Sequence, residues 1–508
     1  MRFAPVIAAL VAGLAQAVSI AAPWNGEPQW WLQSISLATL ALVLQRAASW
    51  RASAVLAWLF ATAWSAGTWW WLFISMHVYG GLAAPLAAIA VLLLAGFIAL
   101  YYAAACGLSW FAKRRGMALQ SIAFAGAWLL AELMRASFFT GFPWGASGYA
   151  HVDGPLAVMA PYVGVYGIAA VSAFLAFWLA TLVQPSMRAP LRSWLVVAGA
   201  VALLAASNFI AKPDGEGSRP KLSVALLQGN IPQDEKFQGG TGIPVALDWY
   251  ARQLKDSRAS LTVTPETAIP LLPQQLPNDY QETVAQPFRQ GGRAALIGIP
   301  LGSFEEGYSN SVIGLEPGTK TYRYAKHHLV PFGEFIPPFF KWFTRMMNIP
   351  LGDFNRGAVV QPPFEWAGER LSPNICYEDL FGEDLAQQFT DSGHAPTILV
   401  NMSNIGWFGD SVAIDQHLAI SRMRAIEFDR PVIRATNTGA TAIVDHRGQV
   451  THSLPRLTRG VLTGDVEGRT TITPYAAWMS RLGLWPLWTA ALGALAAGVI
   501  RRRQQPRP

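Results

Sequence analysis

Eight stretches of the chain are apolar for long enough to suit the roughly 20 residues a bilayer-spanning helix needs. They cover 4–22, 29–45, 53–76, 82–104, 117–134, 157–183, 192–211 and 476–499. Between the seventh and the eighth the pattern changes. Short β-type runs (LSVALLQ, LTVTPE, AALIGIPLG, NSVIGLE, SPNICYE, PTILVNMS, PVIRATN, TAIVDH and GVLTGDV) alternate there with helical stretches such as VALDWYARQLKDSR and DQHLAISRMRAIEFDR. Strands alternating with helices predict one α/β domain, and the number of strands predicts two sheets. The expected organisation is therefore a seven-helix membrane region over 1–211, a polar domain over 212–472, and an eighth helix with a basic tail over 473–508. The first apolar segment has the small-residue AQA of a signal peptide, but its apolar run continues through Ala22, so it is read as a retained helix.

Charge then orients the expected bundle. Arg2, then Arg46 and Arg51, then Lys113, Arg114 and Arg115, then Arg188 and Arg192, then Arg501–Arg503 and Arg507 fall at every second connection. The alternate connections PWNGEP, HVYGG and GFPWGASGYAHVDG carry almost no Lys or Arg. This asymmetry predicts cytoplasmic termini and places the polar domain across the membrane, in the periplasm of a bacterial inner membrane. Charged residues make up 14% of the chain, against about 25% in soluble proteins. The net charge of +7 is gathered in clusters between apolar segments, which fits an acidic membrane surface and excludes nucleic acid as a partner. Twenty-one Trp, among them Trp30–Trp31 and Trp69–Trp71, fit interfacial belts. Glu132 and Arg135, three apart in the fifth segment, read either as a snorkelling ion pair or as a contact to a lipid headgroup.

Candidate chemistry enters with the cysteines. There are two, Cys106 and Cys376, with no CxxC and no HExxH, so a disulfide framework is excluded and neither a metal nor a cofactor is expected. Cys376, in NICYED, is alone in the polar domain and is either inert filler or a nucleophile. Two further strand ends carry suitable partners: Glu266 in TVTPETAIP, and Lys326 with Glu334 in KHHLVPFGEFIP. A thiol of pKa about 8.5 is a few per cent ionised at neutral pH. A carboxylate can take its proton, and an ammonium can stabilise both the thiolate and an oxyanion. His327 and His328 offer a Cys–His dyad instead, though without an evident orienting residue. Sixty residues separate Glu266 from Lys326 and fifty separate Lys326 from Cys376, so spacing alone does not bring them together.

The motifs LLQGNIPQDEKF, TPETAIP, KHHLVPFGEFIP, NICYED, NMSNIGWFG and RMRAIEFDRPVIRATNTG, in this order, resemble the nitrilase, or carbon–nitrogen hydrolase, superfamily. Together with the apolar segments they are similar to its apolipoprotein N-acyltransferase family. The resemblance implies a polytopic bundle of eight transmembrane helices with an αββα sandwich domain. It implies ping-pong N-acyl transfer, in which a phospholipid chain (at sn-1 of phosphatidylethanolamine) passes through a Cys376 thioester to the N-terminal amine of a diacylated apolipoprotein. Glu266 then corresponds to the general base, Lys326 to the oxyanion-stabilising cation, and Cys376 to the nucleophile. Glu334 and Glu378 correspond to supporting acids that orient Lys326 and the thiol, and Tyr377 offers its backbone N–H to the oxyanion. Phe237 (where the family often has Trp), Trp407 and Asn401 are candidate substrate contacts. The apolar stretch Phe335–Gly352 reads as an interfacial lid or as a core segment. The alternative activity is that of a membrane-tethered amide hydrolase using the same thiol. Oligomeric state is not legible.

Overall fold

The computed structural model describes residues 3–183, 199, 217–303, 305–318, 321–336 and 354–500. The expected seventh span (192–211), the basic residues Arg2, Arg188, Arg192, Arg501–Arg503 and Arg507, and all but the first two residues of the expected lid lie outside them. The chain forms two compact units. One is helical and gathers Met1–Trp70, Ala88–Ala211 and Leu482–Pro508; the other takes Lys212–Arg481 together with the short stretch Trp71–Ala87.

Among the described residues, four helices are long and apolar enough to cross a membrane: Phe3–Ile20, Ala84–Lys113, Met117–Thr140 and Ala157–Thr181. A fifth is possible if the broken pair Pro474–Leu482 and Trp485–Val499 counts as one span. Eight spans are thus not all found among the described residues. The helix Trp30–Arg46 has only 17 residues. The segment expected over 53–76 stops as a helix at Thr68, and the chain continues as separate turns, Leu72–Ile74 and Ser75–Tyr79. The last segment is interrupted at Gly483, whose φ of +53° no helix contains. Glu132 and Arg135 do pair, at 2.7 Å, but both side chains are buried inside the helical unit at 0% and 1% exposure. That burial does not fit a pair snorkelling to an interface. Glu132 instead accepts the backbone N–H and hydroxyl of Ser147, and Arg135 lies over the ring of Trp64.

The other unit is built on two six-stranded sheets. The first contains β1 (Ser218–Gln228), β2 (Leu261–Val263), β3 (Ala294–Ser303), β4 (Gly307–Leu315), β5 (Thr321–Ala325) and β12 (Gly460–Arg469), in the order β12-β1-β2-β3-β4-β5. The second contains β6 (Phe364–Trp366), β7 (Glu369–Ile375), β8 (Ile398–Ser403), β9 (Val432–Thr436), β10 (Ala442–Val444) and β11 (Val450–Ser453), in the order β11-β10-β9-β8-β7-β6. Each β-type run read from the sequence lies on a strand. β5, β6 and β11 were not legible, because they are short or lack an apolar run.

Side-chain alternation separates the layers. Leu226 of β1 and Leu296 of β3 join Val263, Ile375, Val400 and Ile433 in the core between the sheets. Their neighbours Leu227 and Ile297 face the other way, onto Leu247, Tyr250, Leu254 and Phe288 of the helices Gly242–Asp256 and Tyr280–Arg289. On the second sheet Ile433 faces inward, whereas the next residue, Arg434, reaches His417 and Ser421 on the helix Ala413–Phe428. The order is helices, sheet, sheet, helix. β1, β2 and β3 are mutually parallel, as are β7, β8 and β9. β5 returns to the direction of β3 through the antiparallel β4. The C-terminal ends of β2, β5, β7 and β8 therefore lead into the segments that bear Glu266, Lys326, Cys376 and Asn404.

Candidate active site

β7 ends at Ile375, and Cys376 opens a tight turn, Cys376–Leu380, with φ at +52°. A non-glycine residue there costs on the order of 1–3 kcal/mol and persists only when its surroundings over-determine it. Glu378 supplies much of that constraint. Its carboxylate accepts the Ile375 N–H at 2.6 Å, the Tyr324 hydroxyl at 2.8 Å, and the N–H groups of His327 and His328 at 2.7 and 3.2 Å. One buried acid thus ties the start of the cysteine turn to the segment that carries Lys326. From beneath, the Cys376 carbonyl accepts Asn401 Nδ2 and His417 Nε2, each at 3.2 Å.

Across from the thiol stand two carboxylates and an ammonium. Lys326 Nζ lies 2.8 Å from Glu334 Oε2 and 3.5 Å from Glu266 Oε1, with the lysine side chain 1% exposed. Asn310, on β4, donates Nδ2 to Glu266 at 2.6 Å and to Glu334 at 2.8 Å, holding the two acids apart at fixed positions. Glu334 also accepts the Val330 N–H at 2.9 Å. The Asn404 N–H at the end of β8 donates to Glu266 Oε2 at 2.8 Å.

Burial and the Glu266 carboxylate push the Cys376 thiol well above its ordinary value, against the pull of Lys326. Burial disfavours the Lys326 ammonium, but Glu334 and Glu266 outweigh it and hold the group protonated above its usual range. The resting arrangement is a neutral thiol beside a charged ion-paired cluster, which suits proton transfer at the moment of attack rather than a standing thiolate. A second lysine, Lys236, is 2% exposed and donates to the Glu266 main-chain carbonyl at 3.1 Å. Burial lowers its pKa to about 8, opposed by Glu266 and Cys376.

The remaining predicted residues are placed as follows. Glu378 bonds backbone groups and Tyr324, and no hydrogen bond of its carboxylate reaches Lys326 or the thiol. Tyr377 packs edge-on to Phe381. Asn401 is fully buried on the outer side of β8, bonded to Asn374, Ser403 and the Cys376 carbonyl. Phe237 is 41% exposed beside Lys236, and Trp407 is half-buried, edge-on to Tyr79. His327 Nδ1 meets the Gly357 carbonyl, and His328 stacks on Phe381 while facing Asp384. Neither histidine bonds the thiol, so the Cys–His dyad is set aside. Sequence reasoning missed Asn310, Lys236 and His417. Lys236 lies inside a quoted motif, and Asn310 is a polar residue opening a β run. Nothing marked His417 on its helix. Among the described residues no group of His, Cys, Asp or Glu is placed to hold a metal ion.

Comparison with known proteins agrees in both units. Residues 12–178 match the family described as apolipoprotein N-acyltransferase N-terminal domain, and residues 223–475 match carbon–nitrogen hydrolase. The chain is 59% identical to an apolipoprotein N-acyltransferase from Verminephrobacter eiseniae over 94% of its own length and 92% of that protein. It is 44% identical to another from Ralstonia nicotianae, over 99% and 94%. A crystal structure of a carbon–nitrogen hydrolase from Helicobacter pylori is 15% identical, with a TM-score of 0.37, covering 53% of this chain and 94% of that one. With a bundle-forming helical region, a two-sheet domain carrying an acid–lysine–thiol cluster, and such identity over nearly the whole length, the chain belongs to the apolipoprotein N-acyltransferase family.

Proposed function

We propose that this membrane enzyme moves an acyl chain from a phospholipid to the N-terminal amine of a diacylated apolipoprotein through a thioester on Cys376. The observation that carries the reading is the Lys326 ammonium, 2.8 Å from Glu334 and 3.5 Å from Glu266, in a buried cluster whose charges act on the Cys376 thiol. Glu266 takes the thiol proton as sulfur attacks the ester carbonyl. The oxyanion forms against Lys326 and the Tyr377 N–H. Collapse breaks the C–O bond, Glu266 returns the proton to the lysophospholipid oxygen, and the thioester remains. The amine of the second substrate then attacks. Glu266 accepts its proton, the C–S bond breaks, and the proton passes back to sulfur as the amide forms. Oxygen ester to thioester to amide needs no external energy source.

Both substrates are lipids, and lifting a chain out of a bilayer costs about 0.8 kcal/mol per CH₂. That cost supports a membrane-held enzyme, and the eight apolar stretches support seven helices before the catalytic domain and one after it. The alternation of basic connections supports a periplasmic catalytic domain with cytoplasmic termini. Phosphatidylethanolamine, cleaved at sn-1, is the proposed donor, and Phe237 and Trp407 are the proposed apolar contacts.

Intact-mass measurement of the purified enzyme mixed with phospholipid tests the reading. An acyl-sized increase is expected in wild type and in Cys106→Ala, and none in Cys376→Ala. An adduct that survives Cys376→Ala sinks the mechanism. Continuous release of free fatty acid without an amine acceptor would assign the site to hydrolysis instead.

A further inference from the structure

The turn at Cys376 places its own peptide in a particular way. Strand alternation puts Asn374, Asn401 and Arg434 on the outer face of the second sheet, while Ile375, Met402 and the Cys376 side chain belong to the core between the sheets. The Cys376 carbonyl points to that outer face, since both of its side-chain donors, Asn401 Nδ2 and His417 Nε2, lie there at 3.2 Å. No peptide in the described chain is cis. In a trans peptide the N–H is antiparallel to the C=O, so the Tyr377 N–H faces the opposite way, toward the side on which Glu266 and Lys326 stand.

The two donors are themselves held. Asn401 gives Nδ2 also to Asn374 Oδ1 at 2.7 Å and takes the Ser403 hydroxyl at 2.6 Å. His417 is 0% exposed. Arg434 has no acceptor atom, so its contact of 3.1 Å with His417 Nδ1 makes that nitrogen the acceptor. The His417 proton is therefore on Nε2, where it serves Asp379 Oδ1 at 3.0 Å and the Cys376 carbonyl. Asp379 in turn accepts from Ser421 and Arg434. The bonds of Asn401 and His417 thus converge on one carbonyl oxygen, that of Cys376.

We infer that His417 and Asn401 are positioning residues that fix the Cys376–Tyr377 peptide so that its N–H is aimed at the transition-state oxyanion. The inference deepens the acyl-transfer reading and rests on it. The chemistry supplies a clean separation of effects. Attack on an ester builds an oxyanion and needs the aimed N–H. Alkylation of the same sulfur by iodoacetamide displaces iodide at a saturated carbon and builds none. A change confined to peptide orientation slows the first and spares the second, whereas general disruption of the turn slows both.

The experiment measures both rates on the full-length enzyme in detergent micelles: acyl-adduct formation from phospholipid, and iodoacetamide labelling of Cys376. The variants are His417→Ala, His417→Gln and Asn401→Ser. For His417→Ala and Asn401→Ser, acylation is expected to fall at least ~10-fold, approaching the roughly 100-fold loss typical of a deleted oxyanion donor, while labelling stays within about twofold of wild type. His417→Gln, which keeps a donor, should recover most of the acylation rate. Parallel loss of both rates in all variants, unchanged acylation, or failure of the glutamine to restore a lost rate would each overturn the inference. Wild type that labels but never acylates would instead overturn the acyl-transfer reading, and the positioning role with it.

Discussion

The molecule holds two buried, unpaired cysteines, and their surroundings differ in kind. Cys106 sits inside the helix Ala84–Ser109 with regular backbone, and its carbonyl is taken by Ser53 and Ser109. Cys376 sits at a strand end with positive φ, beside a carboxylate and an ammonium. The same contrast separates the two buried acid–base pairs. Glu132 and Arg135 bond each other and Ser147 within the helical unit, with no nucleophile in the network. Lys326 and Glu334 pair equally closely, yet a second acid, Glu266, is held away from full pairing at 3.5 Å. Burial is thus common to both cysteines. What distinguishes the candidate nucleophile is strained backbone and a carboxylate left incompletely paired in its cluster.

The contrast breaks most sharply at the two glutamates. Glu266→Gln is expected to lower the rate of acyl-adduct formation by about 10²–10⁴-fold, with unfolding in micelles little changed. Glu132→Gln should do the reverse, because stranding a buried cation costs about 3–5 kcal/mol while each folded molecule keeps its acylation rate. Wild-type acylation in Glu266→Gln would place the base elsewhere. A smaller effect is expected at Asn310, which touches only the two carboxylates and the chain. Asn310→Leu should slow acylation roughly 10- to 100-fold by letting Glu266 collapse onto Lys326, and a rate equal to wild type would show that the spacing of the acids is immaterial.

The mildest test uses pH. Lys236 has a pKa near 8, well below that of a free lysine. Below that pH it is charged in both the folded and unfolded states and contributes no slope. Between there and the ordinary lysine value near 10.4, the unfolded chain binds the extra proton, so stability rises with pH. Acylation should move the other way, falling as pH rises through about 8 and Glu266 loses a neighbouring cation. Lys236→Arg, charged throughout, is expected to carry that limb upward; an unmoved limb assigns the titration to another group.

The sequence carried more of the catalytic unit than of the helical one. Alternating apolar runs marked nine strands because each face of a two-sheet core demands period-two burial, and the strand ends naturally singled out Glu266, Lys326 and Cys376. Apolar length was a poorer guide to the helical unit. Glu132 and Arg135 looked interfacial, yet they are interior, because hydropathy reports how apolar a segment is and not which side chains face its neighbours. The interruption at Gly483 and the stop at Thr68 were likewise hidden inside apolar runs.

Composition, periodicity and motif order by themselves determined that this chain is a membrane protein with an α/β domain bearing one candidate nucleophile, because burial patterns and charge asymmetry are written locally. Only the tertiary structure decided that Asn310 spaces the two acids, that Lys236 stands behind Glu266, and that His417 reaches the Cys376 carbonyl from a helix 41 residues along the chain. Those contacts join segments distant in sequence, and no local period records where the ends of separate strands will meet.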